Sequence, residues 1–144
     1  MANARRSATH RPSRPRARRG EMRRARERAY PPNPTELADV RAFLRETVAE
    51  NAEGEPAYAE FIVTELATNA IVHAGSEFTV RVGFTPTLLR IEVRDKSDAP
   101  PRVGRHHPAI HGLEMVEKLA HDWGYELHDG GKTVWAEVPI RTAS

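Results

Sequence analysis

The chain of 144 residues has the length of one ordinary domain, with no room for a second core. It has no cysteine, which excludes disulfides and thiolate metal sites, and no apolar run of the roughly 18 residues that a transmembrane helix needs; a cytoplasmic protein without membrane contact is expected. A net charge of +2 conceals an asymmetry: residues 1–30 carry eleven Arg and two Glu, a balance of +9, while the remainder is acidic at −7.

Segment 1–30 is rich in Arg, Pro, Ser and Ala and nearly devoid of large apolar residues. It is expected to be disordered, with the folded domain occupying 31–144. Such a basic arm could touch nucleic acid or an acidic partner. A solvated tail is the simpler expectation, and nucleic-acid contact is not predicted.

Past Pro34, Thr35 is a candidate N-cap, and Leu37, Val40, Leu44 and Val48 follow helical spacing to about Asn51. Glu53-Gly54 breaks that helix. A second is predicted from about Pro56 to Ala74, with Gly75 just past its end. Phe78, Val80, Val82 and Phe84 then alternate with polar residues, as do Leu89, Ile91 and Val93, and Thr85-Pro86-Thr87 turns between them. Residues 96–110 read as a loop, and a third helix starts near His111. A closing hairpin pairs about Trp123–His128 with Lys132–Val138 across Asp129-Gly130-Gly131. The order predicts an α/β two-layer sandwich, a mixed or antiparallel sheet with helices on one face.

Three sets of polar residues break the local pattern. Glu65, Asn69 and His73 form an i, i+4, i+8 row, predicted to sit in the middle of the apolar arc of Tyr58, Ala59, Phe61, Ile62, Val63, Leu66, Ala70 and Val72. Burying an unpaired carboxylate is costly, so either an internal ion pair or a bound ligand or metal must compensate. Asp95 continues the inward parity of Leu89, Ile91 and Val93. It either caps the following turn or accepts a hydrogen bond from a ligand amino group. Arg102, Arg105, His106 and His107 precede Ile110-His111-Gly112-Leu113, where free N–H groups at a helix start attract phosphate, unless the segment is an ordinary solvated loop.

Taken together, these residues resemble the GHKL (Bergerat-fold) ATP-binding superfamily, and especially its anti-sigma-factor serine kinases, over roughly residues 33–140. Glu65-Leu66-Ala67-Thr68-Asn69-Ala70-Ile71-Val72-His73-Ala74 is similar to the family's N-box, and Ile91-Glu92-Val93-Arg94-Asp95 to its adenine-binding strand. His111-Gly112-Leu113-Glu114-Met115-Val116 resembles the helix after the ATP lid. Asp122-Trp123-Gly124 and Gly131-Lys132-Thr133-Val134-Trp135 resemble the closing hairpin. Two positions depart from the pattern: Ser97 stands where a Gly is usual, and a single Gly112 ends the lid.

The resemblance implies ATP and Mg²⁺ as cofactors, with Asn69 on the metal and Glu65 as general base. It implies Asp95 on the adenine amino group with Thr133 in support, Gly112 and Leu113 giving N–H groups to phosphate, and Arg105 and His73 lining the nucleotide site. It also implies a sigma factor and its antagonist (anti-anti-sigma) protein as partners, phosphorylation of a Ser on that antagonist, and a homodimer. A non-catalytic binding module on the same fold is the competing expectation. A histidine kinase is disfavoured for want of a phosphoacceptor helix pair, and zinc chemistry at His106, His107 and His111 for want of a nearby carboxylate at helical spacing.

Overall fold

A computed structural model describes residues 22–54, 56–97 and 111–142. A five-stranded antiparallel sheet forms from β1 (Arg23–Tyr30), β3 (Phe78–Phe84), β4 (Leu88–Asp95), β5 (Asp122–His128) and β6 (Gly131–Pro139), in the order β1-β3-β4-β6-β5. Three helices, α1 (Leu37–Asn51), α2 (Ala59–His73) and α3 (His111–Leu119), complete the main body, and a two-stranded ribbon pairs β2 (Ala52–Glu53) with β7 (Arg141–Thr142). The α/β two-layer sandwich predicted from the sequence is thus observed, with a sheet that is antiparallel throughout.

The core lies between the helices and one face of the sheet. Phe78, Val80, Val82 and Phe84 of β3 and Leu89, Ile91 and Val93 of β4 are buried there. Val134, Ala136 and Val138 of β6 extend the same surface. Against them pack Val40, Phe43, Leu44 and Val48 of α1, Ile62, Val63, Leu66, Ala67 and Ala70 of α2, and Leu113 and Val116 of α3. The period-2 alternation of each strand sorts these residues to one side.

The opposite face carries charge, yet its centre is buried. Arg90, Glu92, Trp135 and Glu137 are each no more than 3% exposed. The Arg90 guanidinium donates to Glu92 at 2.7 Å and to Glu137 at 2.9 Å, and lies 4.4 Å from the Trp135 ring centre. Alternation alone would leave these side chains in solvent.

Two boundaries differ from the sequence reading. Residues 23–30 are not part of a tail: they form the edge strand β1, with Arg26 opposite Val82, Arg28 opposite Val80 and Tyr30 opposite Phe78. The inward positions are filled by arginine stems in place of aliphatic residues. Arg26 and Arg28 place their guanidinium carbons 5.3 and 4.8 Å from the Phe43 ring centre, and Arg28 pairs with Asp39 at 3.1 Å. Residues 1–21 of the expected tail lie outside the described residues. Second, the cap before α1 is Asn33, not Thr35. Its side chain accepts from the Thr35 backbone N–H at 3.0 Å and opens a 3₁₀ turn, Pro34–Glu36, that runs into α1.

Candidate functional site

Helix α2 carries the row of polar residues. It starts after Tyr58, whose φ of 66° places it in the left-handed region, and ends at Gly75 (φ 61°), whose N–H reaches the Ala70 carbonyl at 3.3 Å. Only a residue without Cβ adopts that closing conformation cheaply. The buried side of α2 comprises Ala59, Ile62, Val63, Leu66, Ala67, Asn69 and Ala70. Tyr58, Phe61 and Val72 are 57%, 41% and 43% exposed, so they do not belong to the core arc assigned to them. At about 100° per residue, Glu65 and Asn69 therefore lie on the flank of the core face, and the row drifts inward to reach His73 at the end of the helix. That flank is where a helix face passes from packed sheet to accessible space.

Asn69 is 1% exposed, and neither its Nδ2 nor its Oδ1 has a hydrogen-bond partner among the described residues. An amide buried this way costs about 1–3 kcal/mol relative to a satisfied one. One turn earlier, Glu65 is half-buried, and desolvation pushes its carboxyl above the usual carboxylate range. The internal ion pair with a sheet arginine that could have explained it is not formed among the described residues. His73 ends the row in the last turn, also half-buried.

Asp95 stands at the end of β4 on the same side of the sheet as α2, 3% exposed. The turn-capping reading is observed, and the second oxygen is taken by a neighbouring side chain. Oδ1 accepts the Ser97 N–H at 2.8 Å, the turn-capping role, while Oδ2 takes the Lys132 ammonium at 2.7 Å. Lys132 is its register partner on β6 and is 1% exposed. Thr133 is not beside Asp95. One residue further along β6, it faces the other side of the sheet, bonds His128 Nε2 at 3.0 Å and lines a shallow depression of about 160 Å³ with Arg81 and Arg94. The residue next to the Asp95 carboxylate is therefore Lys132, which sequence reasoning missed. The signal was present, since Val134, Ala136 and Val138 alternate inward and Lys132 shares their parity. Close approach of the strands here requires Gly131: a Cβ at that position would overlap the Asp95 carbonyl oxygen.

Gly112 and Leu113 fall in the first turn of α3, where backbone N–H groups have no acceptor within the helix. Leu113 meanwhile anchors that turn in the core, fully buried. Arg105, His106 and His107 lie outside the described residues. No group of three or more His, Asp or Glu able to hold a metal occurs among the described residues, and none of their helices is long and apolar enough to cross a membrane.

The family described as histidine kinase-like ATPase domain matches residues 30–138, most of the chain. The chain belongs to that family. No curated protein matches it. Membership in a histidine kinase-like ATPase family supports nucleotide binding, and the matched span includes α2, the end of β4, the start of α3 and the closing hairpin. It begins at Tyr30, so β1 precedes it except for that last residue.

Proposed function

We propose that this domain binds Mg-ATP between α2 and the β4–β6 end of the sheet and acts as an anti-sigma-factor serine kinase. In this reading it holds a sigma factor and phosphorylates a Ser on the antagonist protein. The observation that carries it is Asn69: a fully buried amide with neither polar atom paired among the described residues, one turn from a carboxylate with a raised pKa. These residues suit a nucleotide with its cation. Asn69 Oδ1 is a hard oxygen ligand, Asp95 is a buried acceptor for the adenine amino group, and the first turn of α3 offers N–H groups to phosphate. When bound, Mg-ATP supplies the transferable phosphoryl group with its charge already partly neutralised. Glu65 orients the attacking hydroxyl and accepts its proton, a task favoured by a carboxyl raised toward neutral pH. The assignment to anti-sigma kinases rests on the likeness of the Glu65–Ala74 run to that family's N-box.

The test begins with calorimetry of the chain against ATP in the presence of Mg²⁺. Radiolabelled ATP and a candidate antagonist domain then report transfer. Binding with transfer is expected of the wild type, and binding without transfer of Glu65→Ala. A wild type that does not bind Mg-ATP ends the reading.

The non-catalytic module has one structural feature in its favour. Tyr58, Phe61 and Val72 leave α2 with an exposed apolar edge, beside a groove of about 360 Å³ that Leu44, Val48, Tyr58 and Phe61 line. Partner binding by the wild type with no phosphate transfer would select it.

A further inference from the structure

The Asp95–Lys132 pair has no evident structural purpose. The inward positions around it on β4 and β6 are Ile91, Val93, Val134 and Ala136, all buried. An ion pair in such surroundings loses in desolvation about what it gains in attraction, and apolar replacements are often neutral or stabilising. Its placement at the end of the sheet, on the α2 side, points instead to a ligand.

The hydrogen-bond capacity of the pair is not used up. The Lys132 ammonium has three donors and spends one on Asp95 among the described residues. The Asp95 carboxylate has about four lone-pair sites, with Ser97 N–H and Lys132 on one oxygen each. An acceptor and a donor thus stand 2.7 Å apart, fixed to each other and sealed from water. That spacing and polarity match an amino group on an aromatic ring next to a ring nitrogen.

We propose that Lys132 is a base-reading residue. While Asp95 accepts from the 6-amino group of adenine, Lys132 donates to a ring nitrogen flanking that group. This inference rests on the Mg-ATP reading of the site. It makes the pair a specificity device: guanine would set a carbonyl oxygen against the Asp95 carboxylate, and a site built for a given donor and acceptor rejects the mismatch strongly.

Binding of ATP, 1-deaza-ATP and 7-deaza-ATP with Mg²⁺, followed by calorimetry, tests it without reference to turnover. Each analogue replaces one of the two flanking ring nitrogens by carbon. The wild type is expected to bind one analogue at least about tenfold more weakly than ATP, the loss of one hydrogen bond to a charged group. Lys132→Met is expected to bind that analogue and ATP alike, and Lys132→Thr serves if the Met variant does not fold. A wild type that binds all three equally overturns the role of Lys132 and leaves ATP binding intact. So does a variant that keeps the discrimination. A wild type that binds none of them ends the Mg-ATP reading and this proposal with it.

Discussion

Replacing Asn69 by Leu turns the unpaired amide into a stability measurement. The two side chains have the same number of heavy atoms and the same branching, so no cavity is left, while the bulkier methyl groups of Leu add a crowding cost that reduces the gain. What changes is polarity: two atoms without accessible surface, or a partner among the described residues, become methyl groups. Removing an uncompensated buried amide should return about 1–3 kcal/mol. For a chain of 144 residues that corresponds to a rise in Tm of about 3–10 °C. Thermal unfolding by circular dichroism, without nucleotide, reads this directly. The same melt with Mg-ATP should invert the ranking, because ligand bound only to the native state stabilises the wild type by mass action and the Leu variant much less. A variant that melts below the wild type in the nucleotide-free scan would refute the reasoning, since the amide would then have a partner that it loses on substitution.

Glu65 makes a pH-dependent counterpart. Its carboxyl is raised above the ordinary 4.5 by desolvation, so the unfolded chain ionises first as pH rises and the folded state loses stability from there up to the folded pKa. Glu65→Gln should therefore match the wild type in acid, gain on it above about pH 4.5, and hold a constant advantage above the raised pKa; urea titrations at several pH values check this. On the other side of the sheet, Arg90→Met leaves Glu92 and Glu137 buried without their shared cation and should cost about 3–5 kcal/mol in chemical unfolding. Adding Glu137→Met should recover much of that loss, while a single-variant cost under about 1 kcal/mol would mean that the network is not desolvated.

Much of this protein follows from local pattern. Alternation places Phe78 to Phe84 and Leu89 to Val93 on strands with their inward faces correct, because a half-buried strand sorts its side chains with period two. The Glu65, Asn69 and His73 row was legible as an anomaly because helical spacing puts three polar groups among apolar ones. Asp95 was legible for the same reason on a strand. What local pattern could not supply is which neighbour covers which face. Strand β1 has no alternating apolar pattern because its inward positions include Arg26 and Arg28, whose stems become a hydrophobic surface only once Phe43 of α1 lies over them. Arg90, Glu92 and Glu137 look solvated one by one and are buried only as a cross-strand cluster. Tyr58, Phe61 and Val72 look like core and are exposed, since the axial rotation of α2 is set by its packing on the sheet. Lys132 shows the division most clearly. The sequence carries the parity of the strand, but only the register of β6 against β4 brings its ammonium to Asp95, because cross-strand pairing depends on contacts between residues 37 positions apart.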